Sequence, residues 1–190
     1  MNNNITRLFN ILLSDKPSEE IIKNEEFIFS IIPDLKTCKG FEHNNKWHMY
    51  DVYNHILHVI DGVPNIISLR LSALFHDIGK PSSYFEDEDK IGHFHGHWIK
   101  SQEIFLNFSK DYNLDINLTN TVSKLVYYHD INISKLDEEQ IIKLVNELSI
   151  DEIKELFLLK KSDLLAHSKL AYSKLDEYLL EEEKLLNRLK

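Results

Sequence analysis

Several features that would define other classes of protein are missing from this sequence of 190 residues. Its single cysteine, Cys38, excludes an internal disulfide, and a cytoplasmic location is therefore the default expectation. No apolar run approaches the roughly 20 residues that cross a bilayer, so we expect no membrane partner. The N-terminus lacks the cationic start and the small-residue cleavage site of a secretory signal.

Positive charge is also scarce. The chain has 22 Lys and Arg against 31 Asp and Glu, which gives a formal charge of −9. Since neutralisation of phosphates dominates affinity for nucleic acids, this balance argues against extended nucleic acid as a partner. It is compatible with a small nucleotide, another phosphate ester or the 3′ end of an RNA entering a pocket.

Glycine and proline are confined to the first half of the chain. All nine lie at or before Gly96, and residues 97–190 contain neither. A β-rich half-chain would need them at its turns, whereas helices joined by Asn, Asp and Ser turns would not. In the segment 138–148, four apolar residues repeat at helical spacing, and Ser149 with Glu152 has the spacing of a capping box. The sequence therefore predicts an all-α fold.

The apolar pattern predicts helices over 4–14, 18–32, 50–61, 65–77, 97–110, 117–129, 138–148 and 151–188. The segments between them, 33–49 and 79–96, are predicted loops, and the EDEDK run in the second predicts a solvated turn or a short hairpin. There is no internal repeat or linker, so we expect a single domain over 1–190. The last helix carries a leucine stripe that either joins two subunits in a homodimer or covers the domain's own core: Leu175, Leu179, Leu186 and Leu189.

The ten histidines are unevenly placed, because nine of them lie between His43 and His129. Within that region the sequence LRLSALFHDIGKP is an apolar helix that ends in His76 and Asp77. Gly79 then permits a turn. A histidine beside an aspartate at a helix end offers one nitrogen and one oxygen ligand to a metal. An isolated pair of this kind is common and would more often be a helix cap with an exposed carboxylate.

Further candidate ligands occur both before and after the His76-Asp77 pair. DVYNHILHVID supplies His55 and His58 before it, and further candidates follow at His93, His95, His97, His129 and Asp163. Asp163 lies in the apolar stretch LFLLKKSDLLA, where an unpaired carboxylate would be costly to bury. A metal, a lysine or a helix-end amide would each stabilise it. One such histidine alone indicates little, but several beside a helix-terminal His-Asp pair indicate a metal site.

The order His55, His76-Asp77, Asp163 resembles the H…HD…D signature of the HD superfamily of metal-dependent phosphohydrolases. Over residues 41–168 the chain is also similar to the HD domain of bacterial tRNA nucleotidyltransferases, in WHMYDVYNHIL, LRLSALFHDIGKP, HFHGH and LVYYH. The resemblance implies an HD-domain helical bundle with a long C-terminal helix. The nucleotidyltransferase head of those enzymes has no counterpart in the forty residues before the motif, so CCA addition is not expected.

The resemblance also implies residue roles. His55, His76, Asp77 and Asp163 would bind a first divalent ion, and His97 and His129 match the positions that bring a second. The ion would be Mn, Fe, Co, Ni, Zn or Mg, and the sequence leaves open whether one or two bind. Asp77 and Lys80 are the predicted catalytic residues, with Lys80 neutralising a phosphate oxygen. The predicted substrate contacts are His48, Lys80, His93 and His95.

Three aromatic residues near these motifs, Trp47, Tyr53 and Trp98, would either stack a base or belong to the core. The leading hypothesis is a metal-dependent phosphohydrolase or phosphodiesterase that acts on a nucleotide or a similar phosphate ester or anhydride. The alternative is a non-catalytic module that binds a nucleotide or an RNA end together with a separate partner.

Overall fold

A computed structural model describes residues 3–188, and its helical architecture, with almost no strand, confirms the predicted fold class. In chain order the helices are α1 (Asn3–Leu12), α2 (Pro17–Lys23), α3 (Glu25–Ile31), α4 (Pro33–Cys38), α5 (Val52–Gly62), α6 (Ile67–Phe75), α7 (Lys80–Ser83), α8 (His97–Tyr112), α9 (Ile116–Tyr128), α10 (Glu138–Glu147), α11 (Ile150–Ala166) and α12 (Leu175–Arg188). Two short 3-10 helices span Ile133–Lys135 and Lys169–Lys174. No helix within the described range is long and apolar enough to cross a membrane.

The EDEDK run, predicted to form either a solvated turn or a short hairpin, lies in a short hairpin. Strand β1 (Phe85–Glu86) pairs antiparallel with β2 (Gly92–His93), and Phe85 lies opposite His93. The hairpin joins α7 to α8, and its second strand leads directly into the start of α8.

Helix α6 is the centre of the bundle. Every residue from Ser68 to Phe75 is buried, and α6 contacts α1, α5, α8, α9 and α11. A helix buried on every face belongs in a core rather than at a surface, and here even Ser68, Arg70 and Ser72 are buried. Because α6 is enclosed on all sides, the residues that follow it, His76 and Asp77, are delivered into the interior of the domain.

The helices around α6 begin at well-defined caps. Asp51 caps α5 by accepting a hydrogen bond from the Asn54 backbone amide. The predicted capping box of Ser149 and Glu152 is confirmed at the start of α11. These caps fix where α5 and α11 start, and therefore which of their side chains face α6.

The N-terminal boundaries differ from the prediction. The helix predicted over 18–32 is wrong as one element, because it is broken at Asn24 into α2 and α3. The side-chain amide of Asn24 donates to the Glu20 carbonyl at 2.8 Å, which satisfies a carbonyl at the end of α2. The loop predicted over 33–49 contains α4, which begins with Pro33 at a position where proline is well tolerated.

The single long C-terminal helix predicted over 151–188 is also wrong. Helix α11 ends at Ala166, and His167 adopts an extended backbone conformation. The next residue is tied to another part of the chain, since the Ser168 amide donates to the Trp47 carbonyl at 2.8 Å. The Ser168 hydroxyl also donates to the Lys46 carbonyl at 3.1 Å. The chain turns at this point, and α12 packs back onto α11.

The leucine stripe of α12 is divided by this packing. Leu186 packs against the core, Leu175 is half-buried, and Leu179 is 50% exposed. Leu189 lies outside the described residues. The stripe therefore covers the domain's own core in part, and the homodimer stays a prediction.

The close approach of α5 to α11 supplies a stability test. A Cβ added at Gly62 would lie 2.1 Å from Ser162 Oγ, so we expect Gly62→Ala to lower the free energy of unfolding by about 1–3 kcal/mol. Removing the hydroxyl in the double variant Gly62→Ala/Ser162→Ala should recover part of that loss. The control is Ser162→Ala alone, which loses only its 2.9 Å hydrogen bond to the Val59 carbonyl. Strictly additive effects in urea unfolding would contradict the predicted clash.

Candidate metal centre

The six side chains predicted as metal ligands meet at one place in the bundle. They come from five separate elements: His55 from α5, His76 and Asp77 just after α6, His97 from the first position of α8, His129 just after α9, and Asp163 from α11. Five of the six are no more than 5% exposed, whereas the Asp163 side chain is 20% exposed and faces a cavity.

Four of these residues form a first group of donor atoms. His55 Nε2 lies 2.9 Å from Asp163 Oδ1 and 3.3 Å from Asp77 Oδ2. His76 Nε2 lies 3.3 Å from the same Asp77 oxygen and 3.3 Å from His55 Nε2. The group therefore presents two imidazole nitrogens and two carboxylate oxygens to one point.

A second group surrounds the other oxygen of Asp77. His97 Nε2 lies 3.3 Å from Asp77 Oδ1, and His129 Nε2 lies 3.5 Å from it. The two Nε2 atoms are 3.2 Å apart. Asp77 thus turns Oδ2 to one group and Oδ1 to the other, which is the arrangement of a carboxylate that can bridge two ions.

The orientation of three imidazoles is fixed by the backbone. The Nδ1 atoms of His76, His97 and His129 each lie 2.7–2.9 Å from the carbonyl oxygen three residues earlier. Nδ1 must carry the proton to donate to a carbonyl, so in the neutral ring Nε2 keeps its lone pair. Backbone hydrogen bonds of this kind are the usual way of orienting a metal-binding histidine.

These donors fit a divalent cation. Ligands about 2.0–2.2 Å from an ion lie roughly 3 Å apart when they meet at right angles, close to the separations within both groups. Two Nε2 lone pairs facing each other at 3.2 Å repel unless a proton or a cation lies between them. Asp77 Oδ2 is buried, and its contact with the Lys80 ammonium at 2.6 Å is an ion pair without the geometry of an ordinary hydrogen bond. A cation would satisfy all of these atoms.

The electrostatics of the site keep both carboxylates ionised. Burial raises the pKa of Asp77, but the Lys80 ammonium and the surrounding imidazoles outweigh it and hold that pKa well below the usual range. The pKa of Asp163 is likewise held low by His167 and His55 against the effect of burial. For His55, burial lowers the pKa, but the hydrogen bonds that its imidazolium donates to the Asp163 and Asp77 carboxylates outweigh burial and raise the pKa to about 9. Two anionic carboxylates among imidazoles attract a cation.

The comparison with protein-family models finds the HD domain at residues 47–151, more than half of the chain. This chain belongs to the HD domain family. Members of the family are generally metal-dependent hydrolases, which agrees with the donor groups described above. No curated protein matches the chain. The narrower similarity to the tRNA nucleotidyltransferase branch stays a prediction.

The matched region of the HD domain includes five of the six candidate ligands and stops before the sixth. Asp163 lies twelve residues beyond the end of the match at residue 151. The structure nevertheless brings its Oδ1 within 2.9 Å of His55, because α11 packs along α5. The C-terminal helices are therefore part of the candidate site.

Lys80 lies inside the HD domain rather than on its surface, since it is 6% exposed. Its ammonium is 2.6 Å from Asp77 Oδ2, 3.2 Å from His43 Nε2 and 3.4 Å from His48 Nε2. The two imidazole nitrogens accept hydrogen bonds from this ammonium, and the Asp77 carboxylate pairs with its charge. A phosphate oxygen would have to replace one of these contacts, although Lys80 does line the cavity.

His43 and His48 form a pair, of which the sequence indicated only His48 as a site residue. Their rings stack with centroids 3.6 Å apart, and His43 is 2% exposed. Burial, followed by the nearby Lys80 ammonium, lowers the pKa of His43 to about 2 and also lowers that of His48. Both rings are therefore neutral acceptors for Lys80. His43 was missed because it lies in an irregular loop with no motif around it.

His167 is a second residue that the motifs did not indicate. Its ring lies 4.3 Å from His48 and 5.1 Å from His55, measured between centroids. His48, His55 and His167 form a third group of possible donors. This group has no carboxylate, and Lys80 already occupies His48 Nε2. It is therefore a weaker cation site than the two groups that share Asp77.

Four of the six candidate ligands line a cavity of about 310 Å³: Asp77, His97, His129 and Asp163. The predicted substrate contacts His48, Lys80, His93 and His95 all line it. His93 is half-buried and pairs with Asp87 at 2.7 Å, whereas His95 is exposed on the same hairpin. The structure thus brings together every residue that the sequence assigned to ligand or substrate binding.

The three aromatic candidates have different positions. Trp47 and Trp98 line the cavity, and Trp47 is 40% exposed. Tyr53 is 2% exposed and packs edge-on against Phe29, so it belongs to the core and cannot stack a base. His58, on the same helix as His55, is exposed and stacks on Tyr50, away from the donor groups.

The division of the six candidate ligands into two groups predicts how many ions each variant will retain. We expect His129→Ala to lose one ion, because only the second group contains His129, and His55→Ala to lose the other. Asp77→Ala should lose both, since both groups depend on it. Elemental analysis of purified, manganese-loaded protein measures this.

The matched control is His58→Ala, which removes an exposed imidazole from the same helix as His55 and should keep the wild-type content. Full metal content in Asp77→Ala would contradict the assignment of that residue as a ligand.

Proposed function

We propose that this protein is a metal-dependent phosphohydrolase or phosphodiesterase that acts on a nucleotide or a nucleotide-like phosphate ester or anhydride. The observation that carries the proposal is the pair of donor groups joined by Asp77 at the base of an open cavity. Four imidazoles and two carboxylates favour Mn, Fe, Co, Ni or Zn over Mg, because Mg prefers oxygen ligands. The two groups support a site for two ions rather than one.

Divalent ions bound there would lower the pKa of a water and stabilise negative charge on the phosphoryl oxygens. Hydrolysis then forms a bond from the water oxygen to phosphorus and breaks the bond to the leaving group, which takes up a proton. The role of Asp77 is to hold the two ligand groups at a fixed separation. Its deep burial prevents the carboxylate from rotating out toward water.

The remaining cavity residues would bind and orient the substrate. His93 lies in strand β2 and His95 follows that strand, whereas Lys174 lies at the end of the second 3-10 helix, just before α12. All three line the cavity, so their polar atoms would be available to a phosphate ester bound there. His93 is held by Asp87, which would orient its ring toward the substrate.

A substrate screen tests the proposal. Purified protein with added Mn, Ni, Co or Mg should release phosphate from, or open, at least one of a panel of nucleoside monophosphates, 2′,3′-cyclic nucleotides and dinucleoside polyphosphates. Asp77→Asn should abolish the activity, because a neutral amide binds neither ion as well as a carboxylate. Asp89→Asn, a change in the exposed hairpin turn, serves as the control. Binding without turnover across the panel would favour the alternative of a non-catalytic module.

Lys80 provides a second test. We expect Lys80→Met to lower kcat/KM by about 10²-fold, the size of effect seen when one charge-stabilising donor is removed from an active site. Metal content should be retained, because the Lys80 ammonium is not a metal ligand. It competes with a cation for Asp77 Oδ2. The control is Lys100→Met, an exposed lysine of α8. Loss of metal in Lys80→Met would contradict this role.

A further inference from the structure

A second cavity of about 380 Å³ adjoins the metal cavity. Its lining is mainly apolar and aromatic: Trp98, Tyr127, Tyr128, Ile131, Leu136 and Leu144, with Asp130, Gln140 and Lys143 as the polar members. Trp98 and Asp130 also line the metal cavity, so the two cavities meet at these two side chains.

The two cavities are adjacent because the same chain segments build both. Trp98 follows the candidate ligand His97, and Asp130 follows His129. Neighbouring residues on a helix point about 100° apart, so one turn can present a ligand to the metal centre and an aromatic ring to the space beside it. The Trp98 ring stands edge-on to His97, with centroids 5.5 Å apart.

The chemistry of the second cavity suits a flat aromatic group with polar edges. Tyr127 is 37% exposed and Trp98 is half-buried, and both line this cavity. Buried Leu144 contributes apolar lining. Gln140 and Lys143 add hydrogen-bonding groups at the exposed side. A nucleobase stacks on aromatic side chains through its faces and forms hydrogen bonds through its edges.

Asp130 lies between the two cavities and is exposed. A carboxylate at that position can accept hydrogen bonds from sugar hydroxyls, a recurrent way of recognising ribose. The order metal centre, carboxylate, aromatic cavity then follows the order phosphate, ribose, base in a nucleotide.

We propose that this second cavity is the base-binding subsite, and that the substrate is a nucleotide whose phosphate lies at the metal centre and whose ribose contacts Asp130. The inference rests on the proposed function, because the phosphate must bind at the metal centre. Tyr127 and Trp98 are the residues that distinguish a nucleotide from a phosphate ester without a base.

The test compares ligands that differ only in the base. With manganese-loaded protein, the dissociation constants of the four nucleoside 5′-monophosphates and of ribose 5-phosphate are measured by calorimetry, with KM used for any ligand that is turned over. At least one nucleotide should bind roughly 5- to 100-fold more tightly than ribose 5-phosphate, the range expected from stacking of one base. Tyr127→Ala should remove most of that difference without changing the affinity for ribose 5-phosphate.

Matched variants separate stacking from damage to the fold. Tyr127→Phe keeps the ring and should keep the preference for the nucleotide, and Ile142→Ala removes an exposed side chain of α10 that lines neither cavity. Asp130→Asn should weaken nucleotide and ribose 5-phosphate alike. Equal affinity of the wild type for both kinds of ligand, or a preference that survives Tyr127→Ala, overturns the inference and leaves the proposed function standing. Failure of every phosphate ligand to bind overturns both.

Discussion

The candidate site depends on one buried carboxylate. Asp77 is 1% exposed, yet four imidazoles and one ammonium come within 3.5 Å of its oxygens. A carboxylate in that position would be strongly destabilising without compensating charge. Its surroundings therefore have to be cationic or bind a cation, and this requirement explains why histidines from separate helices converge on the end of α6.

Helix ends do much of the positioning. His76 and His129 follow the last turns of α6 and α9, and His97 opens α8, so each ring can donate to a backbone carbonyl three residues before it. The end of α9 is held further by buried Lys160, whose ammonium donates to the His129 carbonyl at 3.1 Å and to the Ile131 carbonyl at 2.6 Å. The ligands are thus fixed by main-chain geometry, which explains how the site can be organised before a cation binds.

Some parts of the structure gave no local signal in the sequence. The turn at His167 contains no glycine or proline, and it forms because Ser168 bonds to the distant loop at Trp47. Through this turn, Lys174 and Tyr178 reach the metal cavity. His43 was likewise overlooked because its role comes from stacking on His48 and accepting from Lys80, two contacts made by residues that follow it in the chain.

The sequence by itself determined the helical class and the capping box of α11, because local periodicity and cap spacing encode both. It also contained the motifs whose resemblance to the HD superfamily implied the residues of the two donor groups. Only the tertiary structure decided that Asp77 divides its oxygens between the groups, that Lys80 is occupied by protein acceptors, and that an aromatic cavity lies beside the ligands. Such facts depend on the distances between side chains of different helices, which no local pattern encodes.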